Sequence, residues 1–214
     1  MRTLICIPCM DMVQTQFMIS LINLKKDDAE IKICANSLVY DSRNQLAQLA
    51  VREGFDRILW LDSDMTVPAD FLDRLARHLD NGLEMVTGLY FTRRKPARPV
   101  IYSDLGYKEE DGQTKAYCTH YSDYPRDSLF EVEACGMGGC MMTTELVDRI
   151  GKSFGLPFSP IIGFGEDFSF CLRAKQLGIK IWCDSGAKLG HIGQFEVTEG
   201  NYIREREEQG GDVH

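Results

Sequence analysis

Long apolar runs are absent from this chain of 214 residues. A helix needs roughly 20 consecutive apolar residues to cross a bilayer, and the longest runs here are a handful. The N-terminus has one basic residue and a short apolar stretch that ends at Pro8, so it lacks the layout of a secretion signal. We therefore expect no transmembrane segment and a cytoplasmic location.

An excess of basic residues is also absent. Lys and Arg number 24 and Asp and Glu number 32, which gives a formal net charge of −8. This balance repels a polyphosphate backbone unless basic groups are locally concentrated, so we expect no nucleic-acid partner. The chain has no internal repeat or low-complexity tract, and its 44% hydrophobic content is enough for one domain with a sizeable core.

A second pair of closely spaced cysteines is missing as well. Cys6 and Cys9 form one C-x-x-C, whereas a zinc site of this type needs another pair at suitable spacing. A thioredoxin-type redox pair would open a helix after its strand, and here Pro8 lies between the cysteines. Most of the eight cysteines fall in apolar strand-like or helical runs, which favours buried, reduced thiols.

The chain does contain short β-rich runs that alternate with helix-period segments, a pattern typical of a parallel sheet covered by helices. It predicts a single α/β domain over residues 1–195, with a mostly parallel central sheet, and a charged tail over 196–214. The polar stretch 96–127 predicts long loops or an edge hairpin. The predicted strands are 4–7, 30–35, 58–61, 84–91, 131–135, 140–143 and 179–183. The predicted helices are one around 17–24, one capped by Asp41 or Ser42 and ending near Gly54, one from Pro68 to Leu79, and those at 145–150 and 166–177.

The sequence Asp62-Ser63-Asp64 directly follows a buried strand. Residues two apart in an extended chain project to the same side, so the two carboxylates are expected to converge. Such oxygen ligands suit Mg²⁺ or Mn²⁺ shared with substrate phosphates, and open α/β sheets bind ligands at the carboxyl ends of their strands. The alternative is that Asp64 or Thr66 merely caps the following helix.

His191 lies just past a strand, between Gly190 and Gly193. One neutral imidazole added to two carboxylates favours Mn²⁺ over Ca²⁺. The alternative is a hydrogen-bonded loop histidine with no ligand role.

Glu166 and Asp167 occupy the first turn of a predicted helix, where the helix dipole favours carboxylates. One interpretation is that both residues only stabilise the helix N-terminus. The functional interpretation is that Asp167 accepts a proton from an incoming hydroxyl as a general base. Upstream, Gly136, Gly138 and Gly139 either let a substrate lie against the backbone or serve as turn residues.

Basic and amide side chains at two further places suit a nucleotide. Arg43 and Asn44 lie near the start of a helix. They either contact the base or phosphates of the nucleotide or form an exposed helix N-terminus. Arg93, Arg94 and Lys95 either clamp a diphosphate or form a solvated basic turn.

Together these segments resemble the GT-A glycosyltransferases, particularly the family 2-like members, over roughly residues 2–193. The order of the motifs carries the resemblance. In chain order they are a first strand ending in Pro8, the Ser42-Arg43-Asn44 helix start, Asp62-Ser63-Asp64, Gly138-Gly139-Cys140, Gly165-Glu166-Asp167 followed by 168–178, and His191 with Gly193.

The resemblance implies a metal-dependent glycosyltransferase with a nucleotide-diphosphate-sugar donor and an acceptor hydroxyl on a glycan, lipid or protein. It implies Mn²⁺ or Mg²⁺ bound by Asp64 and His191, with Asp62 on the donor ribose or a metal-bound water. Asp167 is then the base and Glu166 supports the acceptor or the helix. The expected donor-binding residues are Pro8, Arg43, Asn44, Asp62, Ser63 and Gly139.

Three other classes compete. A haloacid-dehalogenase-like phosphohydrolase would use Asp62 as nucleophile and Asp64 as acid/base, but that motif usually lies on the first strand, and here about two strand–helix units precede it. A nucleotidyltransferase would need a glycine-rich basic loop after the first strand, where this chain has Pro8-Cys9-Met10-Asp11. A non-catalytic sugar-binding relative would have lost the metal ligands or the base, which this sequence retains.

Overall fold

The buried strands of the sequence lie side by side in one seven-stranded sheet, in a computed structural model that describes residues 1–193 and 196–208. The strands of this sheet are β1 (Thr3–Pro8), β2 (Glu30–Cys34), β3 (Arg57–Leu61), β5 (Met85–Leu89), β8 (Leu129–Val132), β10 (Gly139–Thr143) and β11 (Ile181–Lys188). Their order is β2-β1-β3-β10-β5-β11-β8, in which β10 and β8 run antiparallel to their neighbours and the other pairs are parallel. The predicted α/β class and mostly parallel sheet are confirmed.

Two three-stranded sheets flank it. Their strands are β4 (Met65–Thr66), β6 (Ile101–Glu110), β7 (Gln113–His120), β9 (Ala134–Cys135), β12 (Gly190–Ile192) and β13 (Glu196–Val197), in the orders β13-β12-β4 and β7-β6-β9. The β6–β7 hairpin accounts for much of the polar stretch 96–127, so the predicted edge hairpin is confirmed.

Helices cover both faces of the main sheet, and side chains alternate along each strand between two apolar cores. The helices are α1 (Thr15–Asn23), α2 (Val39–Arg52), α3 (Phe71–Asp80), α4 (Thr144–Phe154), α5 (Glu166–Gln176) and α6 (Glu199–Glu208). In β1, Leu4 and Cys6 belong to the core shared with α2, α4 and α5, whereas Ile5 and Ile7 belong to the core shared with α1 and α3. Strands buried on both faces are the signature of a helix-covered sheet.

Two predicted helix starts are wrong. Helix α2 begins at Val39, so Asp41 and Ser42 lie inside it instead of capping it, and Ser42 is fully buried. Helix α3 begins at Phe71, whose N–H donates to the Pro68 carbonyl, so Pro68 precedes the helix. Ser42 is buried and so cannot serve as an exposed cap, and the local turn that starts at Pro68 precedes Phe71, the first residue of α3.

The described part of the predicted charged tail is folded against the domain. The Tyr202 ring stacks on Phe91 with centroids 4.5 Å apart, and Glu205 accepts a hydrogen bond from the Ala97 N–H. Residues 209–214 of that predicted tail lie outside the described residues. None of the helices described in residues 1–193 and 196–208 is long and apolar enough to span a bilayer.

Candidate active site

The Asp62-Ser63-Asp64 motif forms a turn between β3 and β4. The Met65 N–H donates to the Asp62 carbonyl at 3.1 Å, and Asp62 N–H donates to the Gly138 carbonyl at 3.3 Å. The extended geometry expected for the motif is therefore wrong, because the strand ends at Leu61. Asp62 and Asp64 nonetheless line one cleft of about 290 Å³, together with Pro8 and Ser63.

Backbone pairing brings His191 to Asp64. Strand β12 pairs with β4 so that His191 faces Met65, and the Ile192 N–H donates to the Asp64 carbonyl at 2.7 Å. The His191 Nε2 atom lies 3.7 Å from Asp64 Oδ2. Two segments far apart in sequence thus present a carboxylate and an imidazole to each other, and their role as metal ligands stays a prediction.

The His191 ring is oriented by a second contact. Its Nδ1 lies 2.8 Å from the Phe91 carbonyl oxygen, which only accepts, so Nδ1 carries a proton. The same contact places Nε2 on the side of Asp64, and hydrogen bonding of the opposite nitrogen is how proteins orient a metal-binding histidine. Burial works in the opposite direction, but His191 and Arg93 hold the pKa of Asp64 below its ordinary value.

A fully buried arginine, Arg43, contacts the other three carboxylates of the site. The Arg43 side chain, 1% exposed, donates through Nη2 to Asp62 Oδ1 at 2.8 Å. Its Nε lies 3.6 Å from Glu166 Oε1 and 3.8 Å from Asp167 Oδ1. Burial disfavours its charged form, but these three carboxylates raise the pKa of Arg43 above its ordinary value. Arg43 is therefore a permanent cation that links α2, the Asp62 turn and α5.

Asp167 is held at the first turn of α5 by a group from another segment. The Met137 N–H donates to Asp167 Oδ2 at 3.3 Å, whereas Oδ1 is buried with no hydrogen-bond partner among the described residues. Burial raises the pKa of Asp167 to about 8; Arg43 opposes this increase, and the nearby Glu166 and Asp62 carboxylates add to it. A carboxylate with a pKa near neutral pH suits proton transfer.

Replacing Asp167 by asparagine is expected to stabilise the fold. Between about pH 4 and pH 8 the unfolded chain has lost this proton while the folded chain keeps it, so the free energy of unfolding falls as pH rises. Asparagine does not titrate, so Asp167→Asn removes this pH-dependent decrease. At pH 8 we expect the free energy of unfolding to exceed that of the parent by about 1 kcal/mol or more, which raises Tm by roughly 2–4 °C. Thermal unfolding at several pH values between about 4 and 8 tests this, because a gain that does not grow with pH would contradict the buried-carboxyl explanation.

Three predicted donor contacts lie away from the open cleft. Asn44 is buried and its Oδ1 accepts the Phe158 N–H at 2.9 Å, and Arg43 faces carboxylates. A Cβ added at Gly139 would lie 2.4 Å from Leu189 Cδ2, so this glycine permits close packing inside the core. These positions favour a supporting role for all three, and a direct contact with the donor stays a prediction.

One site residue, Tyr90, had no clear signal in the sequence, and another, Arg93, was expected on a diphosphate or in a solvated turn and not beside Asp64. The Tyr90 hydroxyl accepts the Gly138 N–H at 3.2 Å, its ring packs edge-on against His191, and burial together with Asp167 and Asp62 raises its pKa. Arg93 donates to Asp64 at 2.7 Å. The basic run around Arg93 was noted in the sequence, but its contact with the motif depends on the fold.

Comparison with known proteins yields only structural likenesses. No family model matches the sequence, and no curated protein matches it. The chain is similar to A197 from STIV, with 20% identity and a TM-score of 0.65 over 90% of this chain and 86% of that one. It is also similar to GalNAc-T7, solved with UDP, GalNAc and Mn²⁺, with 12% identity and a TM-score of 0.53.

The GalNAc-T7 alignment covers 96% of this chain and 47% of that protein, so the chain spans about half its length. Both likenesses support a GT-A-like fold, as the ordered motifs predict. They do not separate GT-A families, so family 2-like membership stays a prediction. Nothing in them favours the phosphohydrolase alternative.

Proposed function

We propose that the protein is a metal-dependent glycosyltransferase that moves a sugar from a nucleotide-diphosphate donor to an acceptor hydroxyl. One observation carries the proposal: Asp64 lines the same cleft as Asp62 and lies beside His191, and Arg43 connects Asp62 to Asp167. A candidate ligand pair and a candidate base are thereby linked in one site. The GalNAc-T7 structure, which holds UDP and Mn²⁺ on a similar fold, supports this assignment.

The Asp64 and His191 side chains suit a divalent cation whose coordination is completed by substrate. Within the described residues, no three His, Cys, Asp or Glu side chains are close enough to hold a metal by themselves. Asp64 Oδ2 and His191 Nε2 supply two ligands, and Mg²⁺ or Mn²⁺ commonly takes its others from water and substrate phosphates. When bound, such an ion stabilises the negative charge that develops on the departing nucleoside diphosphate.

Asp167 supplies the base in this proposal. Its Oδ1 is enclosed beside Arg43, so the acceptor hydroxyl would transfer its proton to Oδ2, which the Met137 N–H already holds in place. Arg43 keeps Asp62, Glu166 and Asp167 in a fixed arrangement, and Glu166 stays on the supporting side of the cluster.

Titration with nucleoside diphosphates tests the metal and donor assignments together. We expect one of UDP, GDP, CDP and TDP to raise the melting temperature only with Mn²⁺, because binding to the folded state stabilises it by RT ln(1 + [L]/Kd). Asp64→Ala and His191→Ala should each weaken this Mn²⁺-dependent binding by about tenfold or more. Asp184→Asn, at a buried carboxylate that contacts Arg74 and His78 outside the site, provides the control for general destabilisation.

Metal-stimulated binding that persists in both alanine variants would overturn the metal assignment. Absence of any nucleotide shift, together with hydrolysis of a generic phosphomonoester, would transfer the assignment to the phosphohydrolase.

A further inference from the structure

Two side chains converge on one oxygen of Asp64. Arg93 Nη1 lies 2.7 Å from Asp64 Oδ2, and His191 Nε2 lies 3.7 Å from the same atom. A guanidinium and a divalent cation are both positive, so they repel each other when they share one carboxylate oxygen. A divalent cation held by Asp64 and His191 therefore competes with Arg93 for Oδ2.

The Arg93 side chain also lines the cleft and can face a ligand there. It is half exposed, and it lines the same cleft as Ser63, Asp62 and Pro8. Of the described residues that line this cleft, Arg93 is the one cation, set against the two carboxylates of the motif. A diphosphate in the cleft would meet net negative charge unless Arg93 turned toward it, and a guanidinium suits phosphate oxygens through paired hydrogen bonds.

The other nearby arginine is not available for this role. Arg43 is buried and holds three carboxylates, so its guanidinium cannot turn to a ligand without breaking the site. The Arg93–Asp64 pair is different, because half-exposed ion pairs contribute only about 0–1 kcal/mol and are readily exchanged.

Building on the nucleotide-sugar function above, we propose that Arg93 exchanges partners. It pairs with Asp64 before ligands bind, and it binds the donor diphosphate once a divalent cation is held by Asp64. Arg93 then opposes binding of the metal alone and favours binding of metal and nucleotide together. The consequence is an ordered site in which the cation is held well only with its substrate.

Arg93→Gln tests the exchange through two binding constants that should move in opposite directions. Calorimetric titration with Mn²⁺ alone should show binding about two- to fivefold tighter than in the parent, because a competing ion pair has been removed. Titration with the nucleoside diphosphate that binds the parent, at saturating Mn²⁺, should show binding about tenfold weaker, because a charged hydrogen bond to phosphate is lost. Arg94→Gln changes an exposed neighbour by the same charge and should alter neither constant beyond a small uniform effect.

The outcomes separate the two proposals. Opposite shifts in Arg93→Gln alone support the exchange. Weakening of both constants would make Arg93 a residue that merely positions Asp64, and behaviour like that of Arg94→Gln would make it a passive surface pair; either overturns the exchange but leaves the glycosyltransferase assignment intact. A parent protein that binds no nucleoside diphosphate with Mn²⁺ overturns both.

Discussion

Asp167→Asn is expected to lower the rate of sugar transfer by about 10²-fold or more while leaving nucleotide binding nearly unchanged, as loss of a general base allows. Asparagine retains an oxygen that accepts the Met137 N–H, so the local geometry is preserved and only the ability to take a proton is lost. The acceptor is unidentified, so the rate to measure is the release of nucleoside diphosphate from the nucleotide sugar, with water as acceptor.

The matched control for this experiment is Glu166→Gln. Glu166 is the adjacent carboxylate and contacts the same arginine, at 3.6 Å, but serves here as a supporting group. We expect it to lower the rate by less than about tenfold. Near-normal turnover in Asp167→Asn, or a larger loss in Glu166→Gln, would move the base away from Asp167. Since Asp167→Asn is also expected to be the more stable protein at pH 8, lost turnover cannot be attributed to unfolding.

Arg43→Met is expected to destabilise the fold by about 3–5 kcal/mol, the usual cost of removing one partner from a buried ion pair. Methionine fills a similar length of apolar space, but Asp62, Glu166 and Asp167 would lose their shared cation. Denaturant unfolding measures the loss. Arg93→Met, which removes a half-exposed arginine from Asp64, is the control and should cost less than about 1 kcal/mol.

Where Arg43→Met does not accumulate as folded protein, Arg43→Lys retains the charge and gives a measurable intermediate loss. Adding Asp62→Asn to Arg43→Met should restore part of the stability, because it removes one of the uncompensated carboxylates. Equal losses in Arg43→Met and Arg93→Met would contradict the central position given to Arg43.

The strands were predictable wherever both faces are buried. In β1 and β3 nearly every residue is apolar because alternate side chains enter two different cores, and that signal is local. The start of α2 was not predictable in the same way. Its polar residues Ser42, Arg43 and Asn44 look like an exposed helix end, but tertiary packing buries all three.

The candidate site likewise has a part that the sequence predicts and a part that depends on the fold. The ordered motifs nominate Asp62, Asp64, His191 and Asp167 as candidate site residues, but they do not indicate how the fold holds these side chains. The turn at 62–65 replaced an expected extended segment because the Asp62 carbonyl bonds to the Met65 N–H. The approach of His191 to Asp64 depends on pairing between β4 and β12, and such distant pairing leaves no periodic trace in either segment.

The position of β10 constrains the order in which the chain assembles. Strand β10 lies between β3 and β5, although its residues follow both by a long stretch of sequence. Until residues 139–143 are available, β3 and β5 each present an open edge, and closing that gap must overcome the entropy of a long loop. A nascent chain that stops short of residue 139 would therefore carry one open edge on β3 and a β5 strand without either of its partners, because β11 is also absent. Unpaired apolar strands of this kind are prone to pairing with other chains. The candidate site has the same dependence, because Gly138 and Met137, the backbone partners of Asp62 and Asp167, arrive with that strand.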